Sequence, residues 1–228
     1  MIQEKDTEMF DDLKQVTPHI TLHSEHFSYG GKDIRSRIAK IIVRFMAGCA
    51  DFLFKERYGH RAIVLETVAS VPGIIGGMLQ HLKSLRFIRD DQGWIQTLLD
   101  EAENERIHLL VYSELSKPTP FERFLIIVVQ FFFSIFYFFV YCISPRTAHR
   151  VVGFFEEEAV HSYEHFLRLV EDGTTKNVDA PALAISYWNL APDAKLIDVI
   201  KATIKDEMVH RDVNHKFADN TVGTTLWW

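Results

Sequence analysis

Two segments of the sequence carry a glutamate and a histidine three residues apart within an otherwise apolar helical stripe. The first is EAENERIHLL, residues 101–110, with Glu105 and His108, and the second is IKDEMVHRDVNH, residues 204–215, with Glu207 and His210. Residues three and four apart share one face of an α-helix, so each pair is in line with residues that should be buried. The two stripes are Leu98, Ala102, Glu105, Leu109 and Tyr112, and Leu196, Ile200, Thr203, Glu207 and His210. A single E-x-x-H is typical of a solvated acidic helix, but a second copy in the same setting indicates a metal site.

Two further glutamates stand alone in apolar segments with helical spacing. Glu66 lies in AIVLETVASVPG on the same face as Ile63, and Glu156 lies in VVGFFEEEAVHSY on the same face as Val152 and Tyr163. A glutamate from each of two helices, with E-x-x-H from each of two others, is the ligand set of di-iron carboxylate four-helix bundles. The sequence therefore predicts these metal ligands: Glu66, Glu105, His108, Glu156, Glu207 and His210.

The chemistry of a metal pair explains why this set has four carboxylates and two imidazoles. Four carboxylates balance the charge of two divalent ions, while two neutral imidazoles complete the coordination and leave positions open for a small oxidant. Without cations, each carboxylate in the bundle core would cost several kcal/mol, the order of the effective penalty for a buried ion. We therefore expect two Fe ions, provided that the four helices face one another.

A third E-x-x-H, in EEEAVHSYEH, tests whether helical phasing discriminates between candidates. Its members, Glu158 and His161, fall with Phe154 on a stripe that is largely separate from the one holding Glu156. We expect Glu158 and His161 to lie on the outer face or outside the ligand set. The choice of Glu156 over Glu157 rests on the same phasing.

The length of the chain and the helical period of its apolar residues indicate one all-α domain. The chain has 228 residues, a formal net charge of −6 and no extended basic surface, so a nucleic-acid partner is not expected. Cys49 and Cys142 lie in apolar runs and suggest neither a disulfide nor a zinc site, and the acidic start is unlike a transit peptide.

We predict an arm at 1–33, a bundle domain at 34–220 and a tail at 221–228. Predicted helices cover about 34–54, 94–116, 121–141, 148–171 and 193–217, with another around Glu66.

Two segments indicate contact with a membrane. Residues 124–142, FLIIVVQFFFSIFYFFVYC, are long and apolar enough to cross a bilayer. One crossing would place ligands of one metal pair on opposite sides of the membrane, and no second comparable run is evident to return the chain. The helix at 34–54 has an apolar face flanked by Arg35, Arg37, Lys40 and Arg44, as interfacial anchors do, although a core or dimer-interface helix could look the same. We expect both segments to lie on one leaflet, as in a monotopic protein.

Four motifs, in this order, resemble the alternative oxidases, the cyanide-insensitive ubiquinol oxidases of mitochondria: LETVASVPG, EAENERIHLL, GFFEEEAVHSY and DEMVHRDVNH. The resemblance covers about residues 34–220 and implies a ferritin-like di-iron four-helix bundle whose iron ligands are the six residues above. It implies that Tyr163 lies beside the metals. It also implies a hydrogen-bond network of Asn104, Tyr187, Trp188 and Asp206, and a quinol pocket of Arg61, Leu65, Ala159 and Ser162.

The same resemblance implies the activity and its place in the cell. The expected reaction is oxidation of ubiquinol by O2, giving water, by a terminal oxidase of the respiratory chain that pumps no protons. The expected protein is a homodimer on the matrix side of the inner membrane of a mitochondrion or related organelle. Plant relatives have a cysteine where this chain has His60, so regulation by an intersubunit disulfide is not expected. Ser162 stands where several relatives have threonine and keeps the hydroxyl.

Other functions share part of this pattern. A plastid-type quinol oxidase has the same ligand logic, as does a di-iron monooxygenase of quinone biosynthesis, which would insert oxygen into its product. A ferritin-like iron store or a structural membrane-bound bundle belongs to a different class. Storage predicts many irons per chain and a soluble shell, and the aromatic run at 124–142 argues against solubility.

Overall fold

The computed structural model describes residues 23, 27–54 and 58–221, and within them all regular structure is helical apart from one isolated bridge between Asp179 and Lys195. The helices are α1 (Ile34–Phe54), α2 (Tyr58–Phe87), α3 (Trp94–Ser116), α4 (Pro120–Ile143), α5 (Pro145–Glu171), α6 (Ala182–Tyr187) and α7 (Leu196–Asn220). The predicted all-α class is confirmed. The short α6 was not predicted, and most of the proposed arm (1–22 and 24–26) and tail (222–228) lies outside the described residues.

Local capping sets the starts of α4 and α5, which begin slightly earlier than their apolar patterns. Thr119 caps α4: its hydroxyl accepts from the Glu122 amide, while the Glu122 side chain accepts from the Thr119 amide. Ser144 caps α5 by accepting from the Thr147 amide. A proline follows each cap, where its missing N–H costs nothing. The sequences TPFE and SPRT thus begin these helices.

Four long helices build the core around the predicted ligands. The helix α2 packs against α3, and α5 packs against α7. One buried cluster joins these two pairs through Ile63 of α2, Tyr112 of α3, Tyr163 of α5 and Ile200 of α7. The two E-x-x-H helices and the two helices with single glutamates therefore do face one another, as the ligand prediction requires.

The backbones of α2 and α3 approach most closely at Gly73. A β-carbon built at this glycine would lie 2.2 Å from the Leu98 carbonyl oxygen and 2.8 Å from the Ala102 β-carbon. The helix α2 continues through Pro72, one residue earlier. Because Leu98 and Ala102 precede Glu105 on α3, this contact sets the height at which α3 presents its ligands.

We expect Gly73→Ala to destabilise the fold by about 1–3 kcal/mol, since the added methyl group overpacks the contact between α2 and α3. Gly48→Ala is the matched control, because nothing lies within 4 Å of a β-carbon at this position of α1. That change should be neutral, or stabilising by up to about 1 kcal/mol. Denaturant unfolding of both variants measures the difference. If Gly73→Ala is as stable as Gly48→Ala, the close approach is not a constraint.

Two helices are long and apolar enough to cross a bilayer, by length and composition: α4, and α2 over Gly59–Phe87. The expectation that no second such run exists was therefore wrong. The apolar window of α2 is 72% buried, because this helix supplies the bundle core, whereas that of α4 is only 17% buried. The helix α1 also exposes an apolar face, on which Ile34 and Phe45 are more than 70% accessible.

Candidate metal centre

Three helices bring four of the predicted ligands to one point in the core. One potential ligand atom from each of Glu66, Glu105, His108 and Glu207 lies within 4.8 Å of the others. All four side chains are buried, with at most 2% of each residue exposed. Glu66 comes from α2, the E-x-x-H pair from α3 and Glu207 from α7. The apolar stripes enforce this convergence, because burying their leucines and isoleucines also buries the acids between them.

Each histidine of the two E-x-x-H pairs points Nδ1 at the carboxylates. His108 Nδ1 lies 3.2 Å from Glu207 Oε1 and 3.3 Å from Glu66 Oε2. His210 Nδ1 lies 2.7 Å from Glu105 Oε1 and 3.6 Å from Glu207 Oε2. Each histidine thus contacts a glutamate of the other pair, so the two motifs form one cluster.

Glu156 faces this cluster from the side. It is 1% exposed and lines a small cavity together with Glu66 and Glu207. It lies outside the group of four whose ligand atoms are within 4.8 Å of one another, as does His210. Burial raises the pKa of Glu156 well above its ordinary value, and the charges of Glu207 and Glu105 raise it further. The six predicted ligands therefore share one buried site, with Glu156 at its edge.

The six side chains fit a pair of cations because each has a buried polar atom without a hydrogen-bond partner in the described part of the chain. These atoms are Glu66 Oε2, Glu105 Oε1 and Oε2, His108 Nδ1, Glu156 Oε2, Glu207 Oε2 and His210 Nδ1. The separation of 2.7 Å between His210 and Glu105 lacks the angles of a hydrogen bond. A buried polar group left unpaired costs about 1–3 kcal/mol, and more if charged. Metal coordination would satisfy all of these atoms.

The pKa shifts of the carboxyl groups also indicate that the cluster needs positive charge. Burial raises the pKa of Glu66 well above its ordinary range, and the neighbouring Glu105 and Glu207 add to the effect. Burial also acts to raise the pKa of Glu105, but contacts with Glu66, His108 and His210 outweigh it and hold that pKa low. Four carboxylates at this separation cannot all be ionised without positive charge among them. Either protons or metal ions must supply that charge.

A hydrogen-bond network surrounds His108. Asp206 Oδ2 accepts from His108 Nε2 (3.1 Å), Trp188 Nε1 (2.8 Å) and Asn104 Nδ2 (3.0 Å), and the last also donates to the Tyr187 hydroxyl (2.7 Å). The short helix α6 and the residue after it bring Tyr187 and Trp188 here. Because a carboxylate can only accept, His108 carries a proton on Nε2, so Nδ1 is the ring nitrogen that could bind a metal.

Tyr163 lies directly against the cluster. Its hydroxyl donates to Glu66 Oε1, and its ring stacks on Tyr112 with the centroids 5.3 Å apart. Burial raises the pKa of Tyr163 well above its ordinary value, and the charge of Glu66 raises it further. Tyr163 therefore keeps its proton and shares it with a candidate ligand.

The cavity beside the cluster accounts for three of the four residues assigned to a quinol pocket. Leu65, Ala159 and Ser162 line it, and its volume of about 20 Å³ is enough for a molecule the size of water. Arg61 does not line it. This side chain lies one helical turn before Leu65, forms an ion pair with Asp51, and has a buried Nε atom without a partner among the described residues.

The third E-x-x-H lies away from the site. Glu158 and His161 are both exposed, as the phasing predicted. Glu157 points to the opposite side, where it accepts from the Tyr29 amide (2.7 Å) and contacts His215 (3.1 Å).

The structure also describes His60, where plant relatives have a cysteine, and the two cysteines of the chain. His60 Nδ1 lies 2.9 Å from Glu122 Oε1, so it joins α2 to the start of α4. Cys49 and Cys142 are both free.

Sequence reasoning missed a further buried carboxylate on α3, Glu101, which lies one helical turn before Glu105. Burial raises its pKa to about 7, against the opposing effects of His210 and of hydrogen bonds from Asn214. The signal was present, because Glu101 shares the helical face of Glu105 and His108. Its partner Asn214, and the His149 that contacts Asn214, gave no comparable signal, since these contacts join distant parts of the chain.

The sequence is similar to those of one family of known proteins. The sequence model described as alternative oxidase matches residues 21–219. A mitochondrial ubiquinol oxidase of Batrachochytrium dendrobatidis is 54% identical over 181 residues, which are 79% of this chain and 57% of the relative. Mitochondrial ubiquinol oxidase 2 of Arabidopsis thaliana is 52% identical over 188 residues, 82% of this chain and 53% of the relative. The chain thus spans about half the length of the curated relatives it matches.

Proposed function

Because the chain belongs to the alternative oxidase family, we propose that it is a ubiquinol:oxygen oxidoreductase with a non-haem di-iron carboxylate centre. The reaction is two ubiquinols and one O2 giving two ubiquinones and two waters, without proton pumping. The buried cluster of Glu66, Glu105, His108 and Glu207 carries this proposal, because its unpaired acceptors and donors match the ligand set of two irons. The names of the relatives support ubiquinol as the reductant.

We propose that all six predicted residues hold the irons. Glu156 and His210 add two ligands to the group of Glu66, Glu105, His108 and Glu207. When bound, the two irons supply the redox chemistry that takes electrons from ubiquinol and passes them to dioxygen. Asp206 fixes the His108 ring and its tautomer, so that Nδ1 faces the carboxylates. The residues around the cavity exclude all but small molecules from the centre.

Tyr163 is the residue we assign to proton handling. Its hydroxyl donates to Glu66, so a proton can move between the two oxygens without entering solvent. The stacked Tyr112 and its hydrogen bond to Thr203 (3.1 Å) hold the Tyr163 ring in place. We propose that Tyr163 acts in catalysis from this position.

The quinol is proposed to bind at the mouth of the cavity, beside Leu65, Ala159 and Ser162. The cavity itself is too small for a quinol ring, so the head group must stay outside it. The buried, unpaired Nε of Arg61 offers a donor one helical turn away. A hydrogen bond from this charged donor to a quinol oxygen would fix the head group.

We expect Arg61→Leu to lower kcat/KM for ubiquinol by about 10- to 100-fold, the equivalent of one hydrogen bond to a charged group. Two irons should remain bound, because Arg61 contacts Asp51 and none of the candidate ligands. Arg168→Leu, on the exposed end of α5, is the matched control. Steady-state kinetics and an iron assay on both variants give the result, and an unchanged rate for Arg61→Leu would remove this residue from the pocket.

We propose that α1 and α4 lie on one leaflet of the inner mitochondrial membrane, on the matrix side. The exposed apolar side chains of α4 support this, as do those of α1 with its flanking basic residues. The exposed aromatics of α4 include Phe121, Phe124, Phe131, Phe132 and Phe139. The relatives' names contain the word mitochondrial. Flotation with liposomes tests the contact, and a chain that stays with the soluble fraction contradicts it.

A homodimer is proposed through the exposed apolar stripe of α2. Ile74, Met78, Leu82 and Leu85 are spaced three or four residues apart, and each is at least 44% exposed. A stripe of this length on a bundle needs a partner to remove it from water. Sedimentation in detergent should give two chains per particle, and a monomer would contradict the proposal.

The test of the function is oxygen uptake with a short-chain ubiquinol in the presence of cyanide. We expect cyanide-insensitive uptake, with one O2 consumed for every two ubiquinones formed. The alternative di-iron monooxygenase would release a hydroxylated quinone, and mass analysis of the product separates the two. An iron store would bind many irons per chain and would not oxidise ubiquinol catalytically.

A further inference from the structure

The carboxylate of Glu157, which follows the candidate ligand Glu156 on α5, is held by two other parts of the chain. One of its oxygens accepts from the Tyr29 amide (2.7 Å) and lies 3.1 Å from Nε2 of His215 on α7. The other oxygen accepts from the Ser28 hydroxyl (2.9 Å). Ser28 and Tyr29 precede α1, so Glu157 joins α5 both to α7 and to the segment that leads into α1.

The His215 ring is held at both of its nitrogens. Arg150 Nη1 donates to His215 Nδ1 (3.0 Å) and to the His215 carbonyl oxygen (3.0 Å). Because a guanidinium group can only donate, Nδ1 accepts, and the proton of the neutral ring lies on Nε2, from which it donates to Glu157. Burial lowers the pKa of His215 against the opposing effect of Glu157, which favours the neutral ring. The bond between His215 and Glu157 therefore has one direction.

The same ring is packed between helices and the segment before α1. A β-carbon built at Gly153 of α5 would lie 2.6 Å from His215 Cε1. The Tyr29 ring stacks on His215 with the centroids 4.6 Å apart, and the guanidinium of the fully buried Arg150 lies 3.6 Å from the Tyr29 centroid. We call Tyr29, Arg150, Glu157 and His215 the α5–α7 clamp. Each member contacts at least two of the others, so the clamp holds one arrangement of side chains.

The α5–α7 clamp fixes the rotation of α5 about its own axis. Successive residues of an α-helix point about 100° apart, because the helix has 3.6 residues per turn. A rotation that withdrew Glu156 from the cluster would therefore pull Glu157 out of the clamp. His215 belongs to α7, which also carries Glu207 and His210. The clamp thus ties the one predicted ligand of α5 to the helix that holds two others.

Glu156 is the predicted carboxylate ligand for which such support matters most. It lies at the edge of the site, outside the group of four whose ligand atoms are within 4.8 Å of one another. It lines the small cavity, and its buried Oε2 has no hydrogen-bond partner in the described part of the chain. The neighbouring Glu157 supplies the fixed contacts that this oxygen lacks.

We propose that Glu157 is a positioning residue of the metal centre, which sets the rotation of α5 and so brings Glu156 to the irons. The inference rests on the proposed function, since it requires the six predicted residues to bind iron. It gives the α5–α7 clamp a role in iron binding in addition to its role in helix packing. The contacts of Glu157, and not its charge, perform this role.

Anaerobic titration of the iron-free chain with Fe(II), against a competing chelator, tests the proposal. Glu157→Ala removes every contact of the carboxylate, and we expect the Fe(II) affinity to fall by about 10- to 100-fold. Glu157→Gln keeps an oxygen that accepts from Tyr29 and His215, and its amide can donate to the Ser28 hydroxyl. This conservative variant should keep the Fe(II) affinity of the unaltered chain.

Two controls separate positioning from general effects on the fold. Glu158→Ala removes the next carboxylate of α5, which is exposed, and should leave the Fe(II) affinity unaltered. Thr119→Ala removes the cap of α4, so the thermal unfolding midpoint of the iron-free chain should fall while the Fe(II) affinity stays unaltered. The absorption bands of the Co(II)-loaded chain report the geometry around the metal, and they should shift in Glu157→Ala and in neither control.

His215→Phe decides the question if Glu157→Ala does not fold. It keeps a ring against Gly153 and Tyr29 but removes the donor to Glu157, so the Fe(II) affinity should fall in the same direction. An affinity within twofold of the unaltered chain in folded Glu157→Ala, or in His215→Phe if only that variant folds, overturns the proposal. Equal losses of affinity in Glu157→Ala and Glu157→Gln, or in Glu157→Ala and Thr119→Ala, also overturn it. If the unaltered chain itself binds no iron, the proposed function fails instead.

Discussion

We expect replacement of Glu207 by alanine to abolish both iron binding and oxygen uptake. Glu207 contacts both histidines, as Glu105 does, with one oxygen 3.2 Å from His108 Nδ1 and the other 3.6 Å from His210 Nδ1. It also lines the cavity with Glu66 and Glu156. Removing it takes negative charge from the centre of the cluster and leaves too few carboxylates to balance two divalent ions. Metal analysis and an oxygen electrode measure the two losses.

The control for this variant is Glu158→Ala. Glu158 belongs to the third E-x-x-H of the chain, but it is exposed, so its loss should change neither iron content nor activity. Circular dichroism must show that both variants are folded. Full oxygen uptake by Glu207→Ala would refute the assignment of the ligands.

We expect removal of iron from the protein to lower its thermal unfolding midpoint by about 8–16 °C. Metal that binds only the folded chain stabilises it by about 4 kcal/mol at a thousandfold excess over Kd. Each kcal/mol shifts the midpoint by about 2–4 °C in a domain of 150–250 residues. The physical source is the set of unpaired buried atoms in the cluster, such as both oxygens of Glu105.

Calorimetry of the purified, chelator-treated protein before and after Fe(II) addition measures this shift. Fe(II) should restore the original midpoint, whereas Mg²⁺, which favours all-oxygen octahedral sites with bound water, should not. Equal midpoints with and without iron would show that the cluster is stable by itself, and would remove the energetic argument for a metal.

The helical period was sufficient to find the ligand-bearing faces. Two E-x-x-H pairs interrupting apolar stripes placed Glu105 and Glu207 in the core, because the leucines around them had to be buried. The same phasing separated Glu156, which is buried, from Glu158, which is exposed. The bounds of α1 and α3 followed equally well from periodicity and from the breakers beside them.

Contacts between distant segments were beyond such reasoning. The spacing of residues on one helix says nothing about which side chain of another helix it meets, so the bonds from His149 to Asn214 and from Asn214 to Glu101 were not predicted. The short α6 has too few residues to show a period. The places of Tyr187 and Trp188 came from family resemblance alone. The apolar run of α2 was overlooked as a possible span because its glycines and Glu66 interrupt it.

We propose that six side chains from four helices hold one pair of irons. Anaerobic Fe(II) titration of the iron-free chain tests it most directly. We predict saturation at two Fe(II) per chain, and loss of that saturation when any of the buried glutamates of the cluster becomes alanine. Saturation at one or none, or continued uptake to many irons per chain, would contradict the account.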